Sequence, residues 1–268
     1  TTFNGDGRFV VCDAHTLKRL VARDMPFYAN VDTSTGATQS SKSTLCWPQH
    51  IVVVSPEKAY IQYSTADNES HSGIRIVDLQ TNIIRTSDIP GTFGVFTKTG
   101  ATKARMIFSR GKVFAGRGNS VIVLDPATDA VIKTITYENR QVKDLAKGYD
   151  GKIYAIFTGE FTGDSGMSGA TEFTKPAMIV ALDANGEVVS ETNLPNPIEL
   201  RTGTASPTVQ MCASFTQPHL YFIGTQAFSS TSAMRYNYET GKVNWDYITA
   251  DLDGDHSGGD IIYGYMGV

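Results

Sequence analysis

The stretch Val121-Ile122-Val123-Leu124-Asp125-Pro126-Ala127-Thr128-Asp129-Ala130-Val131-Ile132-Lys133-Thr134-Ile135 decides the fold. Two apolar, β-branched runs flank a short break rich in turn residues, the pattern of a β-hairpin. The break has a mechanism. An Asp or Asn side chain accepts hydrogen bonds from the backbone two residues on, and Thr or Gly completes the reversal. Working outward, the same phrase recurs as Phe9–Thr16, Ile74–Thr81 and Ile179–Gly186. A degraded copy, Arg235–Gly241, carries Asn237 in place of the aspartate.

A second landmark precedes four of these corners: Lys58-Ala59-Tyr60-Ile61, Lys112-Val113-Phe114-Ala115, Lys152-Ile153-Tyr154-Ala155 and His219-Leu220-Tyr221-Phe222. Another apolar run lies before each, at 51–54, 106–108, 142–145 and 209–215. Each unit thus holds four short strands, and four-stranded units repeating every 40–50 residues or so are the mark of a β-propeller. The expected fold is all-β, a propeller of four-stranded antiparallel blades. Its five corners define about five blade units in a single domain over residues 1–268. Leu17, Leu20 and Val21, with Lys18, Arg19 and Arg23 between them, would pass for an amphipathic helical turn. The repeat register places them on a fourth strand instead. The first unit lacks its opening strands, while the run Ile261–Met266 supplies a fresh one near the other end. Either that strand completes the first unit and closes the ring, or the chain is a segment of a larger ring.

The corner phrases, Val121–Ile135 above all, resemble the YVTN-type propeller repeat. The whole chain is similar to the surface-layer-like propeller domains of Gram-negative outer-surface lipoproteins. That resemblance implies a propeller, usually of seven blades, exported and lipid-anchored at the cell surface. It also implies capture of a small nutrient, cobalamin among the candidates, for a TonB-dependent outer-membrane transporter. This chain offers about five units rather than seven.

Composition narrows the functional classes. With 23 Lys+Arg against 27 Asp+Glu, the net charge is −4. The electrostatic footprint of a nucleic-acid binder is missing. No apolar run is long enough to be a transmembrane helix. Cys12, Cys46 and Cys212 are too few and too scattered for a disulfide framework or zinc knuckle. Cys12 and Cys212 read as small buried hydrophobes inside apolar strands.

Connection lengths point to one functional face. Links between first and second strands, and the Asp corners, are tight. Long segments run between units at 25–49, 90–103, 195–208 and 249–260, and between second and third strands at 64–72, 158–175 and 225–232. Long loops inside a compact domain are usually functional or disordered. Near the starts of inner strands on that face stand Trp47, His50, Arg105, Arg140, Gln141, Lys143, Arg201 and Gln210. An aromatic body with a few polar tips suits a small-ligand pocket. The alternative is that Trp47 plugs the channel and the arginines pair with neighbouring acids.

The run 251–260 places Asp251, Asp253, Asp255 and Asp260 among glycines. Such a loop either converges oxygen ligands on Ca2+ or is an acidic, solvated turn; it lacks the glycine and glutamate spacing of an EF-hand. No nucleophile elbow, zinc-protease motif or phosphate loop occurs. The expected function is therefore non-catalytic: capture of a cobalamin-like ligand or a glycan. A protein-interaction or adhesion scaffold and a propeller hydrolase or quinoprotein-like enzyme, with Asp144 and Glu160 as its carboxylates, are the alternatives.

Overall fold

The computed structural model describes residues 8–25, 28–31, 38–44, 46–65, 71–95, 104–162, 173–195, 210–227 and 230–248. They form antiparallel strands and turns, with no helix among the described residues. Two compact units are present, 1–97 with 126–131 and 98–125 with 132–268.

The second unit carries three four-stranded sheets, each with its strands hydrogen-bonded in chain order. The first runs Met106–Ser109, Lys112–Arg117, Ser120–Asp125, Ala130–Thr136. Its successor is Val142–Lys147, Ile153–Phe157, Met178–Leu182, Val188–Asn193. The third is Gln210–Ala213, His219–Ala227, Ser230–Asn237, Lys242–Ile248. Ile153–Phe157 and Met178–Leu182 are buried at every position, whereas Val188–Asn193 is almost wholly exposed. A continuous apolar strand needs cover on both faces, and the middle sheet has it. Ile153, Ala155 and Phe157 pack with Phe114 and Val123 of the first sheet, while Tyr154 and Ile156 pack with Met211, Leu220 and Phe222 of the third. The two-residue side-chain period of one strand thus divides between two cores. Gly116 is what lets the first and middle sheets approach: a Cβ there would lie 2.6 Å from Ala104 Cβ and 3.0 Å from Val142 Cγ1.

In the first unit, Cys46–Ser55, Lys58–Thr65, His71–Asp78 and Ile83–Asp88 form a sheet in that order, with Gly94–Val95 added beside His71–Asp78. Arg8–Cys12 pairs with Arg19–Asp24, and Tyr28–Val31 with Thr38–Thr44. The core joins Phe9 and Met25 to Ala59, Ile61, Tyr63, Val77 and Ile84. In the segment 17–23, Leu17 and Lys18 finish the corner and Arg19 onward is strand rather than helix, in keeping with the repeat register.

The corners close as their residues dictate. Asp13 accepts from the amides of His15 and Thr16, Asp78 from Gln80 and Thr81, Asp183 from Asn185 and Glu187, and Asn237 from Glu239 and Thr240. Amide donation to the ionised form, first from Thr16, Thr81 and Glu187 respectively, holds Asp13, Asp78 and Asp183 below the usual carboxylate range. Four corners end on a left-handed residue four places on: Leu17 (φ 56°), Asn82 (φ 59°), Asp129 (φ 55°) and Gly241 (φ 69°). The Asp183 corner is one residue tighter and uses Gly186 (φ 80°). Leu17 is the poor fit, since a branched side chain in this region costs energy that asparagine tolerates. Leu17→Asn should therefore raise stability by about 1 kcal/mol, read as a shift in the urea midpoint; no shift would mean the corner is unstrained.

Several expectations need correction. Residues 225–232 are not a long loop: Ser/Thr-rich sequence continues as strand to Ala227 and resumes at Ser230. The 25–49 connection contains a hairpin and the start of the next strand, and 64–72 shortens to the residues between Thr65 and His71. Cys12 is exposed, because it ends its strand where the pairing register slips, and Cys212 is only half-buried. The acidic run with Asp251, Asp253, Asp255 and Asp260, and the strand expected at 261–266, lie outside the described residues.

Candidate functional site

Three first strands in the second unit bring their starting ends together. Asp144 is the junction. It follows a bulge in which Val142 pairs with Phe157 and Asp144 with Ile156, leaving Lys143 as the extra residue. Bulges re-aim side chains in this way. The Asp144 carboxylate accepts from the Arg105 guanidinium (Nη2 2.7 Å, Nε 3.2 Å) and from the Arg105 amide at 3.1 Å. It also accepts from the amides of Leu145 at 2.9 Å and Met211 at 2.8 Å. Its side chain is 4% exposed against 32% for Arg105. A buried carboxylate is tolerable only when paired and hydrogen-bonded, and here both conditions hold.

Beside the junction, Lys143 is buried, with Nζ 3.4 Å from Gln141 Oε1. Arg140 is also buried and donates to the carbonyls of Thr158 at 2.7 Å and Pro176 at 2.9 Å. It clamps both ends of the 158–177 excursion. Burial lowers its basicity, against the pull of Glu160 and Glu191. At the same place Gln141 N donates to Thr158 Oγ1 and Thr158 N donates to the Gln141 carbonyl. Cys212 lies near Arg105 and Asp144, and burial pushes its thiol up.

The remaining expected residues divide. Gln210 opens the third sheet's first strand, paired with Ile223. His50 is half-buried in the first unit and pairs with Gln62; Trp47 pairs with Ser64 in the same strand. Arg201 lies outside the described residues. Arg105, Arg140, Gln141 and Lys143 are thus gathered in one unit, around a residue weighed in the sequence only as a catalytic carboxylate. The signal for it was a lone aspartate in the apolar run 142–145. Asp144 and Glu160 are each committed to a cation, the first to Arg105 and the second to Lys175, both at 2.7 Å. Among the described residues no group of three or more His, Cys, Asp or Glu side chains is placed to hold a metal ion.

At this end of the unit's sheets emerge its longest connections, 158–177 and 194–209. Among the described residues, the opposite end carries short reversals, including the two-residue turn of Arg110 (φ 49°) and Gly111 (φ 78°).

Fold and site define an all-β protein of four-stranded antiparallel sheets. Residues 2–267 match the family described as a domain of unknown function, DUF5074, and the chain belongs to that family. No curated protein matches it. Among solved structures it is similar in fold to Kuenenia stuttgartiensis hydrazine synthase, at 12% identity and a TM-score of 0.54, over 90% of this chain and 62% of that one. Two structures of the BT4673 extracellular domain from B. thetaiotaomicron also match. One gives 11% identity and a TM-score of 0.47 over 79% of this chain and 24% of that one. For the other the values are 12%, 0.49, 92% and 28%. The chain spans less than two thirds of each of these chains.

Proposed function

We propose that the chain is a β-propeller domain of an exported, surface-anchored protein that captures a small nutrient without chemistry. A cobalamin-like molecule or a glycan is the ligand, passed to an outer-membrane transporter. The observation that carries the reading is the convergence of three strand starts, with Arg105, Lys143 and Gln141, at the end where the second unit's longest connections emerge. Binding sites favour loops positioned by a rigid scaffold, and the Asp144 junction supplies that rigidity. The sequence resemblance supports the nutrient class and the surface location.

Thermal melting with cobalamin, neutral oligosaccharides and peptides tests this. A ligand that binds only the native state at about 100 times its Kd adds about 2.7 kcal/mol and raises Tm. The rise should disappear in Lys143→Met. No rise with any of these compounds removes the reading.

A further inference from the structure

The opposite end of the same sheets carries an aromatic surface that the capture site leaves unused. A stack of tyrosines runs outward from the core there. Tyr154 is buried and stacks on Tyr238 (centroids 4.5 Å apart, 27°), which faces Tyr149 at 6.2 Å and 29°. Tyr149, the outermost ring, is 48% exposed. Its hydroxyl donates to Glu239 Oε1 at 3.0 Å. That bond, first among the causes, raises the Tyr149 phenol above its ordinary range.

The base of the stack is fixed. Asp150 accepts from Tyr154 Oη at 2.9 Å and from Lys152 Nζ at 2.7 Å. On the other side, Tyr238 N donates to Pro218 O at 2.9 Å, tying the Asn237 corner to the 215–218 turn. Phe215 in that turn is 82% exposed, the highest value among the described large hydrophobic residues. Glu239 lies beside Tyr149, and the 215–218 turn adds the exposed Gln217, whose Oε1 is 3.0 Å from His219 Nδ1.

Two exposed aromatic side chains on turns tied together through Tyr238 and Pro218, each with a carboxylate or amide beside it, form a recognisable chemistry. Ring faces match the apolar C–H face of a pyranose, while Glu239 and Gln217 offer acceptors and donors to its hydroxyls. Exposed polar groups beside each ring do not resemble the apolar centre of a stable protein interface. We propose that Tyr149 and Phe215 form a platform for a neutral glycan, separate from the capture site. The reading stands whether or not the other end binds a nutrient.

Isothermal titration of the whole chain with maltohexaose, cellohexaose and mannohexaose provides the test. At least one should bind with a Kd of about 1 mM or tighter. Tyr149→Ala and Phe215→Ala should each weaken that binding about tenfold, while Tyr149→Phe retains most of it. The two alanine variants should keep any Tm rise that depends on Lys143, which separates this site from the capture site. Circular dichroism checks that each variant folds. Failure of all three hexaoses to bind, or binding indifferent to both alanine variants, overturns the proposal.

Discussion

Asp144→Ala is expected to lose about 3 kcal/mol of stability. The carboxylate it removes serves one guanidinium and three amides drawn from three strands. Without it, the amides of Leu145 and Met211 are left in a dry environment without this acceptor, each at a cost of about 1–3 kcal/mol. Arg105 contributes less than a fully buried partner would, because a third of its side chain reaches water. Asp144→Asn keeps an oxygen for the amides and loses the charge, so it should fall roughly midway. Urea midpoints of the two variants measure the ordering. An alanine variant as stable as the parent would mean the junction is ornamental, and the rigidity invoked for the capture site would go with it.

Gly73→Ala should cost about 3 kcal/mol or more, through crowding followed by loss of charge pairing. A Cβ at Gly73 would stand 2.8 Å from Tyr63 Oη and 2.9 Å from Asp88 Cγ. Those groups are committed: Tyr63 donates to Asp88 Oδ2 at 2.9 Å, and Arg75 Nε lies 3.5 Å from Asp88 Oδ1. The Arg75 guanidinium also sits 4.4 Å over the Tyr63 ring, with only 1% of the residue exposed. Pushing Asp88 aside takes a carboxylate from a buried cation. Gly111→Ala supplies the contrast, since nothing lies within 4 Å and only its φ of 78° resists. That change should cost about 1–2 kcal/mol. Equal losses in the two variants would show that crowding at Gly73 is relieved.

The corners were legible in the sequence because their chemistry is local. Asp13, Asp78, Asp183 and Asn237 each bond to amides two to four residues away, so the whole device lies within one short phrase. Strand membership of 19–23 followed from the same register. The partners of Asp144 are 39 and 67 residues distant, and no spacing rule joins them. Arg140 read as a ligand group because sequence shows a charge and not the two carbonyls that receive it. Residues 225–232 misled through composition: Ser and Thr suit turns, yet Thr also fits a pleated strand, where context outweighs propensity. The tyrosine stack was invisible for the reason Asp144 was, since Tyr149 and Glu239 are 90 positions apart.

The self-contained corners carry a kinetic consequence. A corner hairpin closed by a few neighbouring amides costs little loop-closure entropy, whereas the links through Asp144 must first bring distant segments into register. Corner hairpins should therefore nucleate early, and the ladder around Asp144 should condense last. Hydrogen exchange pulsed during refolding would then protect the amide of Thr240 well before that of Met211.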